Sequence, residues 1–178
     1  FSKLKNKAKI ITSISMFYDL EEPRKFVQNI HQILDDNGVW HFEQSYLPSM
    51  IENLSYDTIC HEHLEYYDLT IIKEILKINK IKILDVEFND INGGSIAITA
   101  AKYGSNYKSN FNLINKILRY EKNLYKNKNY FTDFKKNIFK QKSDLKKIFN
   151  KIKEENKILI GYGASTKGNV IIQFCKFS

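Results

Sequence analysis

Cysteine is scarce in this sequence and long apolar runs are missing, and each shortage excludes a class of protein. The two cysteines, Cys60 and Cys175, lie far apart and neither belongs to a CxxC pair. A disulfide framework is therefore excluded, and a structural zinc site built within this chain is disfavoured. Because no run of about 18 apolar residues occurs, nothing in the sequence is predicted to span a membrane.

The first twenty residues lack the features of a signal peptide, because their apolar stretch is short and interrupted by polar residues. Together with the cysteine usage, this makes a reducing cytoplasm the expected compartment. The sequence does not begin with Met, and it stops at Ser178, one strand and one helix into an α/β pattern. We therefore expect a fragment of a longer protein.

The formal net charge of +8 is concentrated in one segment. Residues 108–155 contain fourteen Lys/Arg and five Asp/Glu, so the remainder of the chain is almost neutral. A solvated helical face is the favoured explanation of such a charge run. Contact with nucleic acid or with a membrane is the alternative, and we expect neither partner.

The N-terminal part reads as a strand–helix–strand unit. Residues 9–15 form the first predicted strand, and Pro23 stands where a first-turn proline is tolerated. Gly38 is expected to end the helix as a left-handed cap, before a second strand at 39–44. Such a unit predicts two parallel strands with a right-handed crossover.

Further along, a helix at 69–80 is predicted with Asp68 or Thr70 as its cap. Strands at 81–90 and 94–103, joined by "INGG", are expected to pair antiparallel. The glycine pair is explained by a tight hairpin, although it would also let a ligand approach the backbone.

Residues 105–160 contain neither Gly nor Pro and keep a helical apolar period, which predicts one or two long amphipathic helices. The last segment reads as a strand at "KILI", a glycine-rich turn and a helix. The predicted fold class is α/β, with domain limits at 1–104, 105–156 (a helical connector) and 157–178.

The stretch "CHEHLEYY" carries two of the four histidines, His61 and His63, on either side of Glu62. The H-x-H spacing is not that of H-E-x-x-H, and no third or fourth ligand is nominated nearby, so we expect no metal here. An imidazole can take a proton near neutral pH, and a neighbouring carboxylate can orient it. A hydrogen-bonded polar loop is the alternative, and Tyr66 is either a core aromatic or a hydroxyl lining a cleft.

The stretch "GYGASTKG", residues 161–168, follows the predicted "KILI" strand and precedes a helix. Glycines in this position let backbone N–H groups approach phosphate oxygens, and Ser165, Thr166 and Lys167 add donors and positive charge. The pattern is neither a Walker A loop nor a complete G-x-G-x-x-G motif. A cradle for pyrophosphate and a plain tight turn both remain open.

In this order, "YDTICHEHLEYYDL", "NGGSIAI" and "GYGASTKGNVIIQFC" resemble the S-adenosylmethionine-dependent sugar C-methyltransferases, over the whole length of the chain. The resemblance implies the C-terminal half of a Rossmann-like methyltransferase domain, a helical connector and the start of a C-terminal substrate-binding α/β domain. It also implies an upstream zinc-binding part and an upstream glycine-rich loop for the methyl donor, neither of which is in this chain. Activity of this chain alone is therefore not expected.

The resemblance further implies a substrate and roles for residues. The substrate would be a nucleotide-linked keto-sugar, methylated through an enolate at the carbon next to its ketone. His63 would be the base and Glu62 would assist. The residues implied to contact substrate are Cys60, His61, Tyr66, Gly163, Ala164, Ser165 and Lys167. Cys60 stands where the family has an aromatic residue, and the weaker candidates for contact with S-adenosylmethionine are Ser13 and Ser15.

Two other hypotheses stay open at the level of the sequence. Cys60 in place of the aromatic keeps a different small-molecule acceptor possible, with the methyl group placed on carbon or oxygen. The lysines of residues 108–153 keep a basic helical module that binds nucleic acid, which is the least favoured alternative because they follow no known motif. The sequence leaves the oligomeric state unknown.

Overall fold

A computed structural model describes residues 6–163 and 165–177. The strands are β1 (Ala8–Ile14), β2 (Leu34–Ser45), β3 (Ile81–Asn89) and β4 (Ser95–Lys102). The helices are α1 (Pro23–Ile33), α2 (Leu47–Glu52), α3 (Leu69–Ile78), α4 (Phe111–Leu124), α5 (Tyr130–Glu154) and α6 (Thr166–Cys175). Short 3-10 turns lie at Phe17–Asp19, Tyr56–Thr58 and Ile91–Gly93.

The four strands form one sheet in the order β1-β2-β4-β3. β1 and β2 run parallel, with Ser13 opposite Phe42, and β4 lies antiparallel to both of its neighbours. The predicted α/β class, the parallel pair and the antiparallel hairpin are confirmed. The hairpin folds back so that β4 lies between β2 and β3, which leaves β3 at the edge.

Aromatic residues of β2 fill the centre of the core. Trp40 and Phe42 are two residues apart in β2, so their side chains lie on the same face of the sheet. Both are fully buried, and their rings stack with centroids 4.1 Å apart. Phe17, from the turn after β1, packs against Phe42 at 5.6 Å and against Tyr67 at 5.3 Å. This packing fixes the turn after β1 beneath the segment that contains the two histidines.

The predicted cap at Gly38 is wrong. β2 begins at Leu34 and runs through Gly38, whose φ is not positive, so helix α1 passes directly into a strand. A Cβ on Gly38 would lie 2.7 Å from the Ala8 carbonyl oxygen and 2.8 Å from Leu34 Cδ1. Close approach of β1, and not a left-handed turn, is the reason for glycine here.

The cap of α3 is Asp68, the first of the two predicted candidates, because its carboxylate accepts a hydrogen bond from the Ile71 amide at 2.8 Å. The two long helices between residues 105 and 160 are also confirmed, as α4 and α5. Ile114 and Ile117 of α4 are buried in the core, and α4 packs on α3 and β3. The domain limits at 104 and 156 stay predictions.

The predicted strand at "KILI" is wrong. Residues 157–163 form neither helix nor strand, and Ile158 is 88% exposed. A strand requires a neighbour for its backbone groups, and within residues 6–163 and 165–177 no strand pairs with this segment. The following helix, α6, is present as predicted.

Among the described helices, none is both long enough and apolar enough to cross a membrane.

Candidate functional site

The candidate site lies at the carboxyl edge of the parallel pair β1 and β2, where ligands of open α/β sheets usually bind. The segment from the turn at Tyr56–Thr58 to Asp68, the cap of α3, crosses this edge. The Tyr18 carbonyl, in the turn after β1, accepts hydrogen bonds from the amides of Leu64 (3.0 Å) and Glu65 (3.1 Å). These two bonds attach the histidine segment to the end of β1.

Of the two histidines in this segment, His63 is the one that packs against the rest of the protein. Its ring is half-buried and packs against the Tyr18 ring, with centroids 4.3 Å apart, while Tyr66 lies at its edge at 6.5 Å. His61 and Glu62 are exposed. An imidazole confined between two aromatic rings has a restricted orientation, which is what a proton-transferring group requires.

Carboxylates and phenols surround this imidazole. Burial raises the pKa of Asp19, and the nearby Glu62 adds to the rise while His63 opposes it. Burial likewise raises the pKa of Tyr18, a hydrogen bond with Ser15 lowers it, and the nearby Asp19 and Cys60 raise it further. Tyr18 is thus a neutral phenol at physiological pH.

Asp19 and Tyr18 were not among the site residues predicted from the sequence. A signal existed, because "FYD" begins three residues after the end of β1, and β1 ends at the ligand-binding edge of a parallel sheet. Without knowledge of which strands were parallel neighbours in space, these residues could not be joined to His63.

Cys60 and Tyr66 belong to the same segment as His63, and both are half-buried. The Tyr66 hydroxyl donates to the Thr58 carbonyl at 3.3 Å, and burial is the main cause of its raised pKa, with Cys60 contributing. Tyr66 therefore closes the loop as well as flanking His63. Cys60 lies close enough to Tyr18 and Tyr66 to contribute to the raised pKa of both phenols.

The first turn of α6 brings the three motifs together. The Thr166 hydroxyl donates to the Glu62 carboxylate at 3.4 Å, although the two residues are 104 positions apart. The next residue, Lys167, donates from Nζ to the Asn92 side-chain oxygen at 2.9 Å. The "HEH", "NGGS" and "GYGASTKG" stretches therefore meet at one place, which the sequence order alone did not reveal.

The rest of the glycine-rich turn is open. Ser165 caps α6 by accepting from the Gly168 amide at 3.3 Å, so its oxygen supports the helix. Gly163 has φ +152°, and a Cβ there would meet nothing within 4 Å. Ala164 lies outside the described residues. The α6 N-terminus carries the positive end of the helix dipole with Lys167 beside it, a combination that suits an anion.

The glycines of "NGGS" serve close packing. Gly93 and Gly94 have φ of +84° and +113°, and Cβ atoms on them would clash with the side chains of Ser55 and Ser49. Their carbonyls accept from the Asn53 side chain (2.9 Å) and the Tyr46 amide (3.1 Å). The hairpin thereby holds the end of β2 and the residues after α2 in contact.

The two serines predicted to approach the methyl donor differ. Ser13 is buried, and its Oγ accepts a hydrogen bond from the Trp40 indole at 3.0 Å, so its hydroxyl belongs to the core. Ser15 is half-buried at the end of β1, with φ +52° and its amide bonded to the Glu43 carbonyl at 2.8 Å. Only Ser15 fits a contact at the edge of the sheet.

Within residues 6–163 and 165–177, no group of three or more His, Cys, Asp or Glu side chains lies close enough together to hold a metal ion. The chemical groups that the site does offer are an imidazole, two carboxylates, two phenols, a thiol and an ammonium group.

Solved structures with a similar fold cover little more than half of the chain. LepI in complex with SAM is 12% identical over 55% of this chain and 27% of its own, with a TM-score of 0.46. A putative methyltransferase from Bacillus halodurans is 9% identical over 58% of this chain and 69% of its own, with a TM-score of 0.44. TM-scores this low carry no conclusion about function.

Sequence similarity is more extensive. The chain is similar to C-methyltransferase NovU from Streptomyces niveus, with 21% identity over 168 residues, which is 94% of this chain. It spans 40% of the length of that relative. The family model described as the C-methyltransferase C-terminal domain matches residues 90–178, half of the chain. This chain therefore belongs to the C-methyltransferase family.

Proposed function

We propose that this chain forms part of an S-adenosylmethionine-dependent C-methyltransferase that methylates the carbon next to the ketone of a nucleotide-linked deoxysugar. In this proposal, residues 1–104 are the second half of a Rossmann-like methyltransferase domain, and 157–178 begin the domain that binds substrate. Membership of the C-methyltransferase family supports the reaction class. The single observation that carries the mechanism is the half-buried His63 ring packed on Tyr18 at the carboxyl edge of β1 and β2.

The chemistry of carbon methylation explains why a histidine is needed. A carbon next to a ketone becomes nucleophilic only after it loses a proton to form an enolate, and a base must remove that proton near neutral pH. In the proposed mechanism His63 takes the proton from the substrate carbon. Tyr18 and Tyr66 confine the imidazole, so that little reorientation is needed in the reaction.

Asp19 and Glu62 supply the electrostatic part of the proposal. Asp19 lies close enough to His63 for their charges to interact, and Glu62, the residue before His63, interacts with Asp19 in turn. In the proposal these carboxylates offset the positive charge that forms when the base takes the proton. Tyr18, held neutral by its raised pKa, adds no negative charge beside His63, and its role in the proposal is to confine the imidazole through its ring.

The nucleotide part of the substrate would lie at the α6 N-terminus. Lys167 is bonded to a neutral amide oxygen, so its positive charge stays available to a phosphate. Gly163 and Ser165 precede the first turn of α6, whose N–H groups favour an anion. The Thr166–Glu62 contact sets this anion site beside the "HEH" segment. In the proposal the diphosphate binds at α6 and the ketone of the sugar lies at His63.

S-adenosylmethionine, when bound, supplies an electrophilic methyl group. Of the two serines predicted to contact this donor, Ser15 at the end of β1 fits the role. Ser13 does not fit, because the Ser13 hydroxyl is bonded to Trp40.

The proposal is tested with His63→Asn in the full-length protein, with His31→Asn as the matched control because His31 lies in the last turn of α1 near Lys7, at the opposite end of β1. Two readouts are used: methyl transfer to a keto-sugar nucleotide, and exchange of the substrate proton with deuterated solvent when the methyl donor is omitted. We expect His63→Asn to lower both rates by about 10²–10⁴-fold, as loss of a general base does, and His31→Asn to leave them close to the wild-type values.

Near-wild-type methyl transfer by His63→Asn would refute the base assignment. A product with its methyl group on oxygen would refute the enolate mechanism and would favour another small-molecule acceptor, the alternative that Cys60 keeps open.

A further inference from the structure

The two ends of the segment that carries His63 are both bonded to one helix, α4. The segment, residues 53–68, begins after Glu52, the last residue of α2, and ends at Asp68, the cap of α3. Tyr120 of α4 donates to the Glu52 carboxylate. Tyr125 of α4 donates to the Asp68 carboxylate at 2.8 Å.

Between these two tyrosines, Glu121 makes the strongest set of contacts in the group. Its carboxylate is fully buried, although α4 also carries the exposed charges of Lys116, Arg119 and Lys122. It accepts from the Tyr46 hydroxyl (2.7 Å), the Leu69 amide (2.8 Å), the Thr70 amide (2.9 Å) and the Thr70 hydroxyl (2.5 Å). Two of the four donors are otherwise unpaired N–H groups at the start of α3, and the helix dipole favours a negative charge there.

The hydroxyl donors in this group stay protonated at physiological pH. Burial is the main cause of the raised pKa of Tyr46, followed by the neighbouring Glu121. Burial is also the main cause for Tyr125, followed by its hydrogen bond to Asp68. Asp68 uses its other carboxylate oxygen to cap α3 through the Ile71 amide, so both of its oxygens are occupied.

Apolar packing already attaches α4 to the core, so these polar contacts are not needed for that purpose. Ile114 and Ile117 already bury one face of α4 in the core. A buried carboxylate is a weak source of net stability, because its removal from water costs as much free energy as its hydrogen bonds return. What such a group does supply is a unique geometry, and the geometry fixed here is that of the residues flanking the "HEH" segment.

We propose that Tyr120, Glu121 and Tyr125 act as positioning residues that hold both ends of segment 53–68, and thereby set the position of His63. These three residues are named the α4 clamp. The inference rests on the proposed function in one respect, the role of His63 as base. The clamp itself is defined by contacts that do not depend on that role.

The experiment compares Glu121→Gln and Tyr125→Phe with two matched controls in the full-length protein. Glu74→Gln changes an exposed carboxylate on α3, and Tyr107→Phe removes a hydroxyl bonded to the Asn37 carbonyl at 3.1 Å, away from the segment. Glutamine has one acceptor oxygen, so its NH₂ would face the donors of Thr70. Tyr125→Phe removes a single hydrogen bond, so it still tests the proposal if Glu121→Gln does not fold.

We expect amide hydrogen exchange in residues 60–70 to accelerate about tenfold or more in both clamp variants, while amides of β3 and β4 keep their rates. We also expect kcat to fall about 10–100-fold with KM for the methyl donor unchanged, because a small misplacement of a reacting group is costly. The two controls should match the wild type in both measurements.

Unchanged exchange in residues 60–70 would overturn the clamp, and so would faster exchange with an unchanged kcat. Failure of the proposed function gives a different pair of results. His63→Asn would retain methyl transfer, while amide hydrogen exchange in the clamp variants would still accelerate as expected.

Discussion

The imidazole of His63 packs against the phenol ring of Tyr18, with ring centroids 4.3 Å apart and planes inclined at 50°. Tyr18 is buried, and its carbonyl holds the two residues that follow His63. One residue thus contacts the proposed base through its side chain and attaches the base's segment through its backbone. The backbone contact survives any substitution at position 18, so the side-chain contribution can be tested separately.

Replacement of Tyr18 should separate ring packing from the hydroxyl group. We expect Tyr18→Phe to keep kcat within a few-fold of the wild type and Tyr18→Ala to lower it about 10–100-fold, because loss of the ring frees the imidazole to rotate. Steady-state methyl transfer gives the rates, and thermal unfolding shows whether each variant folds. Equal losses in the two variants would assign the effect to the hydroxyl and would contradict the role of the ring.

Lys167 should affect substrate binding more than turnover. Its charge lies at the proposed diphosphate site, and a charge-assisted hydrogen bond contributes about 1.5–3 kcal/mol, so Lys167→Met should raise KM for the nucleotide sugar about 10–100-fold. The same change at Lys176, at the other end of α6, is the control. An unchanged KM in Lys167→Met would show that the diphosphate does not bind at this helix terminus.

Gly94 should be intolerant of a side chain. Its φ of +113° is strained for alanine, and a Cβ would overlap the Ser49 side chain, whose Oγ it would approach to 3.1 Å. We expect Gly94→Ala to lower the free energy of unfolding by about 2–3 kcal/mol, measured by chemical denaturation. Gly104→Ala is the control, since a Cβ there meets nothing within 4 Å.

A second substitution divides the Gly94 effect into its parts. Ser49→Gly removes the overlapping atoms and should restore some of the stability lost in Gly94→Ala, but not the part that comes from backbone strain. Complete recovery would show that φ is not a constraint at this position.

The parts of the fold that could be predicted from the sequence depend on short stretches of chain. The Asp68 cap joins residues three apart, and the hairpin of β3 and β4 joins strands separated by one tight turn. The "KILI" strand was predicted wrongly because alternation and length describe a segment alone, whereas a strand exists only with a partner.

The site divides in the same way. "HEH" and "GYGASTKG" could be found as motifs, yet the Thr166–Glu62 contact joins residues 104 positions apart, and the Tyr46–Glu121 bond joins residues 75 apart. Glu121 in particular reads as one more charge on a solvated helix, and only the packing of α4 on α3 reveals its buried surroundings. Long-range pairings of this kind leave no local periodicity in a single sequence.

His31 should make the stability of the fold depend on pH. Burial lowers its pKa, and the nearby Lys102, Lys80 and Lys7 lower it further, against an opposing effect of Asp36. His31 lies in the last turn of α1, where the helix dipole alone would favour the charged form, so burial and the lysines outweigh the dipole. The folded protein therefore resists a proton that the unfolded chain accepts at about pH 6.5.

The sign follows from linkage. Because the folded pKa lies below the unfolded value, the stability is fully present above about pH 6.5 and is lost as the pH falls through that value toward the folded pKa. Each unit of pKa difference corresponds to at most about 1.4 kcal/mol, and partial solvent screening at this half-buried site reduces it. Chemical denaturation at about pH 7.5 and pH 5.5 should show a smaller difference in His31→Gln than in the wild type. His61→Gln, at an exposed position, is the control, and an equal difference in wild type and His31→Gln would contradict the prediction, since the pH dependence would then come from other groups.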